Sequence, residues 1–365
     1  MNTSKIIIEK QIGKMFKKEY SIFMRNGTTA LWVLLKALDI KRGKIIVPVN
    51  ICYVVPLAIF LSGNEPYFVD IDDSYTIDPQ ELEGIDSDQI KAVIMPYMYG
   101  NTGHIEEIKK ICKDKNWILI EDVAQSLGAK IGTHYVGSFS EYSMTSFGMG
   151  KIIDVNFGGV LCFNSKPLYK ETIKIYESLP PLSKKMLSFS MHFSQFYFLM
   201  VDFIEKGDDL SRFGIPLADT YKDCFLSNIG NDTSFFPILD NKLNFLQDEL
   251  VIRNANAELF QKIIKHENVV PLKHNEGATY WRQNILAKKD REGLLKYLKE
   301  NKIKASKYFP SIDRFFYVRK DGMFKRSDQM FRQLINLWPG KETTEGDIIK
   351  INGLIHDYYG KMAEK

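Results

Sequence analysis

Lys151 lies in the run Thr145-Ser146-Phe147-Gly148-Met149-Gly150-Lys151-Ile152-Ile153, where a strand-like stretch gives way to a turn flanked by two glycines. A lone lysine is usually a solvated charge. An amine held in such a turn can also attack a carbonyl, or take and return a proton. A phosphate-binding P-loop is excluded, because Thr145 stands where its first glycine is needed and Ile152 where its Ser or Thr is needed. No G-x-G-x-x-G follows a strand. Two other places could carry chemistry. The apolar run Trp117–Ile120 ends in Glu121-Asp122, which puts a carboxylate at a strand end. Arg25-Asn26-Gly27-Thr28-Thr29 opens an apolar-periodic run, which is N-cap chemistry and also an anion site built from free N–H groups and the helix dipole. Each piece has a plain structural reading when taken alone.

Together, an anion-binding helix start, an acid at a strand end and a lysine on a later turn are the parts that a pyridoxal phosphate site needs. The phosphate sits on the helix N-terminus. The acid keeps the pyridine nitrogen protonated, and the lysine amine forms a Schiff base and then moves the substrate's proton.

The elements that must hold these parts follow an α/β pattern. Thr28 to Asp39 places Leu31, Leu34, Leu35 and Leu38 on one helical face. Short apolar runs follow at Ile45–Val49, Tyr67–Ile71, Ala92–Pro96, Trp117–Ile120, Met144–Phe147 and Val160–Phe163, with a helical run at Ile105–Lys115. Runs apolar on both faces fit a covered, mostly parallel sheet, whose sites lie at the carboxyl ends of its strands. The stretch from about 166 to 237 is less regular. A long helix over Asn241–Lys265 is expected as a connector to a smaller α/β domain with strands at Tyr280–Ala287 and Ile303–Phe309 and helices at Arg291–Asn301 and Gly346–Tyr359. Residues 1–240 are read as the large domain and 241–365 as the connector and small domain.

The 365 residues exceed the usual size of a single core. Forty-nine basic and 45 acidic side chains leave a formal charge of +4, with both signs scattered, which argues against a nucleic-acid surface. Cys52, Cys112, Cys162 and Cys224 are far apart, as expected of reduced thiols in the cytoplasm rather than of a disulfide framework or metal site. The apolar stretch Met186–Ile204 includes His192, Gln195 and Asp202 and reads as a buried or amphipathic helix, not a membrane span. Asp70, Asp72, Asp73 and Asp78 lack the central glycine of a calcium loop. His104 reads as a helix-start residue, and Tyr97, Tyr99 and Tyr308 are candidates for the substrate side or for the core.

An ordered series of motifs resembles the DegT/DnrJ/EryC1/StrS family of sugar aminotransferases. NGTTAL, KIIVPVNICYVV, EPYFVDID, YTIDPQELEG, MPYMYGNTGHIEEI, EDVAQSLGA and VGSFSEYSMTSF occur in the family's order, and Asp122 and Ser146 keep the family's separations from Lys151. YWRQNIL, SKYFP and INLWPGKETT match more weakly. The resemblance implies the fold-type-I architecture of pyridoxal-phosphate transferases: a large, mostly parallel sheet domain with helices on both faces, plus a smaller C-terminal α/β domain. By position, Lys151 would carry the cofactor and Asp122 would pair with the pyridine nitrogen. Gln125 would meet the ring hydroxyl region, and Gly27, Thr28 and Ser146 would hold the phosphate. The reaction implied is transfer of an amino group from glutamate to a nucleotide-linked keto sugar, for surface-polysaccharide or amino-sugar synthesis, in a homodimer. Dehydration on a sugar, or a non-catalytic regulatory role on the same fold, are the alternatives. The sequence departs from the family at three places. Cys52 stands where an aromatic often stacks on the cofactor ring, with Tyr53 as a neighbour that could serve. Asn156-Phe157 interrupts a glycine-rich run, and no N-Y-R-M segment is visible near Phe235–Asn244.

Overall fold

The computed structural model describes residues 3–206, 210–211, 213–230, 232–318 and 322–364. Strands are numbered in chain order. The large sheet is built from β1 (Tyr20–Met24), β2 (Lys44–Pro48), β3 (Glu65–Val69), β4 (Ile90–Pro96) and β5 (Ile118–Asp122), and from β8 (Tyr142–Ser146) and β9 (Gly159–Phe163). A two-stranded hairpin of β6 (Lys130–Ile131) and β7 (His134–Tyr135) lies between β5 and β8 in the chain. The order across the sheet is β1-β9-β8-β5-β4-β2-β3. Strands β3, β2, β4, β5 and β8 are parallel, and β9 runs against both of its neighbours.

Alternation along each strand explains why the sheet is covered on both faces. Ile46, Val93, Met95 and Leu119 pack into one buried cluster with Ile8, Ile12, Ile105 and Ile108 of flanking helices. Ile45, Val47, Ala92, Ile94 and Ile120 pack into the other, with Leu31, Leu34, Leu35 and Leu57. Successive side chains of a strand point to opposite faces, so continuous apolar runs satisfy two helical layers at once.

The small sheet consists of β10 (Val269–Pro271), β11 (Gln283–Ala287), β12 (Ala305–Ser306) and β13 (Leu334–Leu337), all antiparallel, in the order β10-β11-β13-β12. It has its own core around Leu294, Leu298, Ile335 and Ile355.

Several expectations are corrected. The stretch after residue 166 is regular, with helices at Lys166–Glu177, Lys184–Glu205 and Gly214–Phe225. Ser165 caps the first and Ser183 the second, each through its hydroxyl. The expected helix over Asn241–Lys265 is two, Phe236–Asn244 and Leu246–Ile263, meeting at Phe245. Strand pairing over Ile303–Phe309 is confined to Ala305–Ser306, and β1 and β13 were not anticipated. Among the described residues, no helix is long and apolar enough to cross a membrane.

Candidate active site

A cavity of about 640 Å³ opens at the carboxyl edge of the large sheet. The ends of four parallel strands deliver Cys52, Tyr97, Asp122 and Ser146 to its wall, and the turn after β8 delivers Gly148 to Lys151. Every residue singled out for the cofactor lines this one space: Gly27, Thr28, Asp122, Gln125, Ser146 and Lys151.

One end of the cavity is the start of the helix Gly27–Ala37. Asn26 caps it, its side-chain oxygen accepting from Thr29 N at 2.7 Å. A Cβ on Gly27 would meet Met144 Cε at 2.9 Å and Ser146 Cβ at 3.2 Å, so glycine is what lets this helix start abut the end of β8. Ser146 Oγ accepts from Gly148 N at 3.2 Å and keeps its own proton to donate.

In the middle, Asp122 Oδ1 accepts from Ala124 N at 2.9 Å, while Oδ2 has no partner among the described residues. Burial raises the Asp122 carboxyl above the usual range, opposed by the Lys151 ammonium and the Ala124 N–H. Burial lowers the Lys151 amine, opposed by Cys52, Asp122 and Asp154 and reinforced by Arg282. The buried space therefore pushes both groups toward their neutral forms, and a cationic ring nitrogen facing Asp122 would restore its charge. The Lys151 turn is itself fixed, with Gly150 N donating to Asp154 Oδ2 at 2.5 Å.

The neighbouring Glu121 plays a different part. It is fully buried, and its carboxylate accepts from Gly137 N, Phe139 N, Ser140 N, Ser140 Oγ and the Tyr97 hydroxyl, all between 2.5 and 2.9 Å. It ties the loop after the β6–β7 hairpin beneath β5. Gln125 Oε1 accepts from Tyr99 N at 2.8 Å, which leaves its amide nitrogen beside Met98 Sδ.

Other candidates separate. Tyr97 and Tyr308 reach the cavity, but Tyr99 does not line it and instead bonds the Tyr308 carbonyl at 2.9 Å. Tyr53 turns away from the cavity. Its hydroxyl donates to the Gly214 carbonyl at 2.9 Å and its ring stacks on Phe316, so it does not replace the aromatic missing at Cys52. His104 precedes the helix Ile105–Asp114 without capping it and contacts Asp72 at 2.7 Å.

The small sheet supplies residues that were not singled out for the site. Trp281 and Arg282 precede β11, Lys304 precedes β12 and Trp338 follows β13. Antiparallel pairing brings these to one end of the sheet, at the cavity. The Arg282 guanidinium lies between Trp281 and Trp338, 3.9 and 4.0 Å from their ring centres. Burial, with Arg253 nearby, pushes it down to about 9, so it stays a cation at neutral pH. Trp281 Nε1 and Arg282 both donate to the Gly150 carbonyl, at 2.6 and 3.2 Å. The sequence signals for Trp281, Arg282 and Trp338 were the weakly matching YWRQNIL and INLWPGKETT segments; Lys304 lay only in the expected strand Ile303–Phe309.

Comparison with known proteins identifies the family and the fold. A sequence profile of the DegT/DnrJ/EryC1/StrS aminotransferase family matches residues 6–188. GDP-perosamine synthase of Escherichia coli O157:H7 is 31% identical over 163 residues, 44% of this chain and 45% of that protein. The dTDP-3-amino-3,6-dideoxy-alpha-D-galactopyranose transaminase of Aneurinibacillus thermoaerophilus is 26% identical over 83% of this chain and 74% of its own. A pleiotropic regulatory protein of Geobacillus stearothermophilus is 28% identical over half of each chain. The crystal structure of a family aminotransferase from Brucella abortus superposes with a TM-score of 0.78, at 22% identity, over 99% of this chain and 91% of that one. The cavity has a carboxylate oxygen without a partner, an amine and a glycine-cradled helix start, a donor set that fits pyridoxal phosphate. The chain belongs to the DegT/DnrJ/EryC1/StrS aminotransferase family, whose cofactor is pyridoxal phosphate.

Proposed function

We propose that this chain transfers an amino group from glutamate to a keto sugar carried on a nucleotide, as a cytoplasmic homodimer. The observation that carries this reading is that Asp122 and Lys151 face one cavity whose end is the Gly27 helix start. When bound, pyridoxal phosphate supplies an electron sink that lets an amino donor lose its α-proton. Asp122 Oδ2 would accept from the ring N–H, and Gly27, Thr28 and Ser146 would offer donors to the phosphate. Lys151 Nζ provides the covalent anchor, then holds and moves the donor's α-proton. Burial favours its neutral form, as a base needs. Gln125 would border the ring, and Cys52 lines the cavity where an aromatic is often found. Arg282, buried between two tryptophans, is suited to a donor carboxylate, and Lys304 adds a second cation at the same end.

The names of the relatives support a nucleotide-linked sugar, since those proteins make GDP- and dTDP-linked amino sugars. Exposed Ile238, Phe245, Val251 and Ile252, on the paired helices Phe236–Asn244 and Leu246–Ile263, support self-association. Residues 1–240 serve as the large cofactor-holding part and 241–365 as the connector and small domain. A regulatory role is the second reading, favoured by the resemblance to the regulatory protein.

Borohydride reduction of the purified holoprotein, followed by peptide mass spectrometry, tests the anchor: the adduct is expected on Lys151 and absent in Lys151→Ala. Isotope-labelled glutamate with a panel of nucleotide-linked keto sugars tests the reaction. Cofactor bound at Lys151 without label transfer to any acceptor would favour the regulatory reading. Light scattering that shows a monomer with full cofactor occupancy would remove the dimer.

A further inference from the structure

Arg25 is a buried cation without an anion. It is only 6% exposed, it lines the cavity, and its Nε has no hydrogen-bond partner among the described residues. The ionisable groups that act on it are Tyr176 and Cys224, and no carboxylate forms an ion pair with it among the described residues. An isolated guanidinium is costly to bury, because the desolvation it suffers is not offset by a partner. The structure nevertheless holds it in place. Its guanidinium lies over the Phe157 ring, 4.4 Å from the centre, and Phe157 packs on Phe235 with ring centres 4.2 Å apart. Its carbonyl accepts from Gly158 N at 2.9 Å.

The surroundings say what is missing. Two residues on, the helix Gly27–Ala37 begins, with its free N–H groups and positive dipole end at the same cavity. Ser146 lies against Gly27. Three unlike features therefore converge: a buried guanidinium, a helix N-terminus and a hydroxyl, each able to donate a hydrogen bond and none carrying a negative charge. Two of the three places where the chain departs from its family's pattern, Phe157 and the region of Phe235, supply the rings that support Arg25.

Resting on the function proposed above, we propose that Arg25 is a ligand of the cofactor's phosphate monoester, supplied from within the same chain and positioned by Phe157. The dianion compensates the guanidinium, and the guanidinium orients the phosphate through charge-assisted hydrogen bonds.

Equilibrium binding of pyridoxal phosphate and of pyridoxal, which lacks the phosphate, tests this in wild type, Arg25→Gln and Phe157→Leu. Arg25→Gln should bind pyridoxal phosphate at least about tenfold more weakly, with pyridoxal affinity unchanged. Phe157→Leu, which keeps the charge but removes its support, should show a smaller loss of the same kind. Inorganic phosphate should raise the melting temperature of the wild-type apoprotein and not that of Arg25→Gln. Equal losses for the two ligands, or none, would overturn the assignment. So would weakened binding of a nucleoside diphosphate with pyridoxal phosphate unaffected, which would place the substrate's phosphates there instead. A wild type that binds neither vitamer overturns the proposed function along with it. A wild type that binds both, with Arg25→Gln indifferent, overturns the Arg25 assignment alone.

Discussion

Replacing Glu121 with glutamine asks how much of the site depends on a residue that never touches it. The side chain keeps its shape, so any effect comes from turning one acceptor oxygen into an NH2 donor. With the carbonyl at the Oε1 position, the bonds from Phe139 N, Ser140 N and Ser140 Oγ survive. The NH2 then faces the Tyr97 hydroxyl and Gly137 N, both 2.5 Å from Oε2. The hydroxyl can rotate to accept, but the Gly137 N–H cannot. The flipped amide is worse, since it faces both Phe139 N and Ser140 N. The cost is one orphaned buried donor, about 1–3 kcal/mol, plus the weakening of the bonds that lose their ionised acceptor. The sum is about 3–5 kcal/mol, a large share of a typical domain's stability. Urea unfolding of the apoprotein followed by tryptophan fluorescence measures it, and cofactor affinity should fall as the support under Asp122 loosens. A loss below about 1 kcal/mol would refute the reasoning, because it would mean that the donors around this side chain have other partners.

Two more outcomes follow from the geometry. His274 is 4% exposed, stacks on Tyr280 at 4.3 Å and has no partner for either ring nitrogen among the described residues, and burial pushes it down to about 3. Its folded state binds the proton less tightly than the unfolded state does, so its stability contribution is full above pH 6.5 and is lost as pH falls toward 3. His274→Phe should match wild type at pH 8 and exceed it by about 2 kcal/mol at pH 5, by urea unfolding at each pH; parallel pH profiles would count against a neutral buried ring. Arg282→Lys keeps the charge but loses the planar stack between Trp281 and Trp338, and should raise KM for the amino donor about 10- to 100-fold. If only the sugar's KM moves, Arg282 reads the acceptor instead.

Legibility in the sequence followed physical locality. The strands of the large sheet announced themselves because burial on both faces demands unbroken apolar runs such as Val93–Met95. Asp122, Ser146 and Lys151 were legible because each ends or follows such a run. Strand β1 escaped because Tyr20 and Ser21 at its start are only half-buried, and its place is set by pairing with β9, far away in the chain. The break at Phe245 has no glycine or proline to mark it. Arg282, Lys304 and Trp338 could not be grouped from sequence, since only the antiparallel pairing of β11, β13 and β12 puts their ends together. Tyr53 misled because adjacency in the chain says nothing about which way a ring turns at a helix start.

The Gly150 carbonyl has a wider consequence. It is one residue from the lysine and is held by Trp281 and Arg282, which belong to the far part of the chain. The reactive turn is thus clamped by a segment translated long after it. The two parts are therefore not interchangeable modules. A fragment that stops before residue 281 leaves that carbonyl without its donors, and a chimera that grafts in a relative's small sheet works only if the graft brings an equivalent tryptophan–arginine pair.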